Sequence, residues 1–112
     1  MTAFTTGNPS FSDRQLADLA AQHFGLPGTI RPLPSERDQN ARLTANGQDY
    51  VLKIANPAED PGQIDLQNAT MLHLARVGQP GIPRVVPALS GADRALVKVN
   101  GQPSAMRLVT WV

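Results

Sequence analysis

Ser12 followed three residues later by Gln15 forms a capping box, and Leu16, Leu19, Ala20, His23 and Phe24 then recur at helical spacing until Gly25 and Pro27. The pattern predicts a helix over residues 13–24, with His23 packing or hydrogen-bonding at its end. Residues 1–11 are small and polar, with Gly7 and Pro9, and read as a flexible lead-in to a single domain over 12–112. Three short extended segments follow, Thr29 to Leu33, Asn40 to Thr44 and Tyr50 to Ile54. The Asn46-Gly47 pair between the last two favours a type I′ turn, so these two strands are expected to pair antiparallel. "NPAEDPGQ" reads as a loop. Ile64 to Val77 is then helical, with Ile64, Met71, Leu72 and Ala75 on one stripe, and Gly78, Pro80, Gly81 and Pro83 end it. Arg84 to Leu89 and Arg94 to Val99 follow as strands, "NGQPS" as a turn, and Met106 to Val112 as a last apolar strand. The order implies an α+β fold: a small antiparallel sheet of about five strands, with an N-terminal helix and one helix, about 64–77, packed on it.

One residue breaks this pattern. Lys53 interrupts an otherwise apolar strand, in a chain with two lysines and eight arginines. Side chains alternate along a strand, so Tyr50, Leu52 and Ile54 take one face and Val51 and Lys53 the other. Two readings are open. An edge-strand lysine discourages aggregation. A lysine beneath the polar turn Pro34 to Gln39, whose backbone N–H groups are free to point inward, instead makes a site for phosphate oxygens.

Composition narrows the second reading. The 112 residues suit one domain, and the formal net charge of +1 comes from interspersed charges with few aromatics, which argues against a nucleic-acid partner. Zero cysteines and two isolated histidines, His23 and His73, supply no metal ligand set. No apolar stretch approaches a membrane span and the N-terminus lacks a signal-peptide pattern, so a cytoplasmic location is expected.

"LPSERDQNARL", "YVLKIANPAEDPGQIDLQNATMLHLA" and "PRVVPAL" together resemble the N-terminal lobe of the kinase-like fold. Within it they are similar to the aminoglycoside phosphotransferase group, which takes in choline kinase-like enzymes, and especially to hydroxylysine-kinase-like domains of the type fused to class III pyridoxal-phosphate aminotransferases. The resemblance covers roughly residues 13–112. It implies an ATP-binding lobe of a small-molecule kinase, with Lys53 on the α- and β-phosphates and Val51 under the adenine. Ser35, Glu36, Arg37, Asp38 and Gln39 would form the nucleotide loop, which departs from the glycine-rich protein-kinase pattern by having no glycine. Gln67, or Asp65 as the alternative, would stand where the family's helix offers a glutamate to the lysine. Thr110 and Val112 would lie at the hinge that meets adenine.

The resemblance also implies magnesium, a small hydroxy or amino compound as phosphate acceptor, and a C-terminal lobe carrying a His-x-Asp loop. Neither His23 nor His73 is followed by aspartate two residues on, so the 112 residues are expected to be a fragment that transfers no phosphate alone. Trp111 and Val112 are expected to leave an apolar end through which it self-associates. A free-standing protein-interaction module, with Lys53 only structural, is the competing function.

Overall fold

The computed structural model describes residues 8–112. Its elements are α1 (Asp13–Phe24), β1 (Thr29–Leu33), β2 (Gln39–Ala45), β3 (Gln48–Ile54), α2 (Pro61–Arg76), β4 (Val85–Val86), β5 (Ala95–Val99) and β6 (Gln102–Thr110). Two helices thus accompany one antiparallel sheet of six strands, in the order β1-β2-β3-β6-β4, with β5 also on β6.

The capping box is present at α1: the Ser12 side chain accepts from Gln15 N, and Gln15 reaches back to the Ser12 N–H. Left-handed Gly25 closes the helix. Asn46 and Gly47, with φ of 54° and 76°, turn β2 into β3 as a type I′ hairpin requires.

The largest boundary differences from the sequence pattern fall in three elements. Helix α2 begins at Pro61 rather than Ile64, because Asp60 caps Gly62 N and proline at the first helical position has no N–H to lose. Only Val85 and Val86 pair as a strand from the expected Arg84 to Leu89 segment, since Pro83 and Pro87 flank them. Strand β6 starts at Gln102, not Met106, and ends at Thr110. Asn100 and Gly101, both at positive φ, make the whole turn, and Pro103 is tolerated because β3 begins to pair with β6 only at Met106.

Cross-strand partners share a sheet face. One face gathers Leu43, Leu52, Ile54, Met106 and Leu108, all fully buried, under Leu16, Ala20 and Phe24 of α1. The other carries Asn40, Lys53 and Arg107 in one row, and Arg42, Val51 and Val109 in the next. Helix α2 lies on this second face with only Ile64 and Asn68 buried; Ile64 joins Ala55 and Ala105 in a small separate cluster.

Residues 1–7 of the expected lead-in lie outside the described residues. Asn8 and Phe11 are fastened to the domain: Asn8 Oδ1 accepts from Asn56 Nδ2, and Phe11 exchanges two backbone hydrogen bonds of 2.8 Å with the Gln39 side chain.

Gly28 sets the entry to β1. Its φ is unexceptional, but a Cβ there would sit well inside van der Waals contact with the Thr44 carbonyl oxygen, which belongs to the β1–β2 ladder and cannot turn aside. Gly28→Ala is therefore expected to destabilise the fold by about 1–3 kcal/mol, read as a lower urea midpoint with an unchanged slope.

Candidate functional site

Lys53 lies in the middle of β3, flanked across the ladders by Asn40 of β2 and Arg107 of β6. It lines a cleft of about 440 Å³ together with Leu66, Gln67, Thr70 and Met71 of α2, Pro83, and Arg107 and Val109 of β6. Burial, then the neighbouring Arg107, push its ammonium below the ordinary lysine range, and Asp38 only partly offsets them. The described ion pairs are Arg42 with Asp49 and Arg94 with Asp65 and Asp93, so neither Lys53 nor Arg107 has a carboxylate partner among the described residues.

Arg107 is the residue that sequence reasoning missed. It is buried, at 5 % exposure, and donates from Nη1 to Asn68 Oδ1 at 2.8 Å and from Nη2 to Gln67 Oε1 at 2.9 Å. Burial is the main cause lowering its pKa, followed by Arg94. Asn68 in turn donates to Asp93 Oδ2 at 2.9 Å. Asp93 is drawn down to about 2, first by Arg94 and then by Asn68. The signal available in sequence was an arginine inside an apolar run, "AMRLV", the same anomaly that drew attention to Lys53.

The expected site residues separate into groups. Gln67 shares the cleft with Lys53, but its Oε1 is taken by Arg107 rather than by the lysine. Asp65, the alternative, points away and pairs with Arg94. Val51 lies on the Lys53 face, beside Val109. Gln39 belongs to β2 on the α1 side of the sheet, its amide committed to Phe11; the β2 residue level with Lys53 is Asn40, whose Oδ1 is buried without a partner.

The loop of Ser35, Glu36, Arg37 and Asp38 is held by side chains instead of glycines. Ser35 Oγ donates to the Asp38 carbonyl, Asp38 Oδ1 accepts from Asn56 N at 3.1 Å, and buried Asn56 donates from Nδ2 to the Arg37 carbonyl at 3.2 Å. Glu36 is exposed. Asn56 is thus the clasp of the loop, a role that the Asn-Pro pair in "IANP" concealed as turn chemistry.

At the far end of β6, Thr110 donates its N–H to the Arg84 carbonyl at 2.9 Å and accepts from Arg84 N on Oγ1 at 2.8 Å. Trp111 N is bonded to the Asp49 carbonyl at 3.2 Å. The Trp111 ring, 39 % exposed, is covered by the Arg42 guanidinium 4.3 Å from its centroid, so the tryptophan is partly shielded within the chain itself. Val112 beyond it is exposed.

A lysine and an arginine side by side, without a carboxylate, on a cleft wall suit a polyanion, and a nucleotide's phosphates fit that donor set. Magnesium does not fit the same residues: no group of three or more acidic, cysteine or histidine side chains able to hold a metal occurs among the described residues. Nor, among these residues, is any helix long and apolar enough to cross a membrane.

This combination, a twice-flanked antiparallel sheet whose third strand points a lysine, without an ion-pair partner among the described residues, toward a helix, defines the N-terminal lobe of the kinase-like fold. The chain belongs to the phosphotransferase enzyme family, whose model matches residues 29–112. In structure it is similar to a microcompartment-associated aminopropanol kinase (TM-score 0.73, 18% identity, 89% of this chain and 32% of that one). It is also similar to a spectinomycin phosphotransferase in complex with ADP and spectinomycin (0.70, 15%, 91% and 30%) and to an amicoumacin kinase in complex with AMP-PNP, Ca2+ and Ami (0.70, 16%, 91% and 31%). The chain spans about a third of the length of these solved structures. Among curated proteins none matches its sequence.

Proposed function

We propose that residues 12–112 are the nucleotide-binding lobe of an ATP-dependent small-molecule kinase, acting in the cytoplasm together with a C-terminal lobe of the same parent chain. The carrying observation is the Lys53–Arg107 row on the cleft wall, two cations with no ion-pair partner among the described residues. In this reading Lys53 binds the α- and β-phosphates. Val51 and Val109 give the base an apolar wall, and the Ser35 to Asp38 loop, held by Asn56, covers the phosphates. ATP supplies the transferable phosphoryl group. The acceptor is a small hydroxy or amino compound, the compounds named for two of the structural neighbours being aminopropanol and spectinomycin. A parent that also carries a pyridoxal-phosphate aminotransferase fits the resemblance of the sequence.

The test is an ADP titration of the 112-residue chain followed by amide NMR shifts. An affinity near millimolar, about −4 kcal/mol, is expected from one wall of a cleft, with shifts centred on Val51, Lys53 and Val109. Shifts scattered over the α1 face, or none at ten millimolar ADP, would refute the assignment. The competing reading, a protein-interaction module, has less support, because Arg42 already covers part of the Trp111 ring.

A further inference from the structure

We infer that Arg107 is a positioning residue, which ties helix α2 to the sheet through two neutral side-chain oxygens and so leaves Lys53 without an ion-pair partner among the described residues, open to an anionic ligand. Only the identity of that anion rests on the nucleotide reading; the tie itself rests on geometry. Two strands and one helix meet here. Lys53 and Arg107 are cross-strand partners on the α2 face. Helix α2 answers the arginine with two neutral oxygens, Gln67 Oε1 and Asn68 Oδ1, and offers the lysine no charge.

The consequence is electrostatic. An acid at position 67 would satisfy both cations from within and compete with a ligand for them. A neutral amide satisfies the geometry of Arg107 and leaves its charge, so the pair remains a site of positive potential. The other charged groups that act on the pair are Asp38 from the β1–β2 loop, which acts on both cations, and Arg94, Asp93 and Glu59, which act on Arg107. The nearest of these carboxylates are already engaged: Asp38 by Asn56 N, Asp93 by Asn68 and Arg94. Ligand binding and helix seating are therefore linked, because the anion neutralises the arginine that holds α2.

The experiment compares the wild-type chain, Gln67→Glu and Arg107→Met. Three quantities are read: the Lys53 pKa, by NMR titration of its Cε, the exchange of the α2 amides, and the affinity for tripolyphosphate without metal. Gln67 is solvent-exposed, so its isosteric acid is expected to fold even if Arg107→Met does not. In Gln67→Glu the Lys53 pKa should rise toward 10.5 and tripolyphosphate should bind about tenfold more weakly. A Lys53 pKa that stays where it is in Gln67→Glu overturns the inference, as does an Arg107→Met chain whose α2 amides are as well protected from exchange as those of the wild type. So does tripolyphosphate binding that is unchanged or tighter in Gln67→Glu. Wild-type chain that binds tripolyphosphate but not ADP would refute the nucleotide reading and uphold the inference.

Discussion

Lys53→Met is expected to abolish detectable ADP binding and, at the same time, to make the fold more stable. A charge-assisted bond to phosphate is worth about 1.5–3 kcal/mol, so an affinity that begins near millimolar moves beyond measurement. Stability moves the other way because the ammonium is half-buried beside a second cation, with its pKa lowered by burial first and by Arg107 second. Methionine keeps the chain's length and polarisable bulk against Met71 and Val109 while removing the charge. A gain of about 1 kcal/mol, or roughly 4–8 °C in Tm, is typical when a group kept for function is removed. The sign of the pH dependence follows from the lowered pKa. The folded state holds the Lys53 proton less tightly than the unfolded state, so the cost is complete below the folded value and disappears as the pH rises through it toward 10.5. The Tm gap between variant and wild type should accordingly narrow in alkaline buffer. A variant that is less stable than wild type at neutral pH would show that Lys53 has an internal partner.

Asn68→Leu is expected to be the most damaging polar substitution, at about 2–4 kcal/mol. Asn68 is buried and faces two ways, accepting from Arg107 and donating to Asp93. Leucine of similar size leaves a buried guanidinium with one acceptor fewer and Asp93 with one donor fewer. Helix α2 has little apolar burial to fall back on: Leu66 and Leu72 are 62% and 53% exposed, and Ile64 is its one buried hydrophobic residue. Hydrogen exchange should therefore rise along α2 well before it rises in β2 or β3. Adding Arg107→Met to Asn68→Leu should restore part of the loss, because the stranded charge is then gone. Strict additivity of the two would mean that they act separately.

The fold was legible wherever local chemistry decided it. The capping box at Ser12, the stop at Gly25 and the Asn46-Gly47 hairpin each carry their cause within four residues, and so did the alternation that puts Lys53 opposite Leu52. The site was legible only in part, because its decisive contacts join residues about 40 positions apart, Arg107 with Gln67 and Asn68. A resemblance to glutamate-bearing helices directed attention to what should face the lysine. What Gln67 faces is the arginine. Gln39 was assigned to the loop because its polarity matches its neighbours, yet its amide serves Phe11, a partner 28 positions away that no local pattern reveals. The short β4 and the early start of β6 were obscured by prolines, whose effect depends on which ladder edge they occupy.

Strand β6 receives three ladders, from β3, β4 and β5, and Leu52 meets Leu108 across 56 positions of sequence (108 − 52). Of the six strands described, the one synthesised last is thus the one that completes the sheet. Until it emerges, the β1–β2–β3 meander can form, but the inner edge of β3 is left open, with Leu52 and Ile54 uncovered on one side. Closing a loop of this length also costs chain entropy before its contacts form. Nascent chains stalled before Gln102 should be cut readily by protease within β3, and those released past Val112 should resist. Equal resistance of both would mean that the meander stands alone and that β6 only docks onto a finished core.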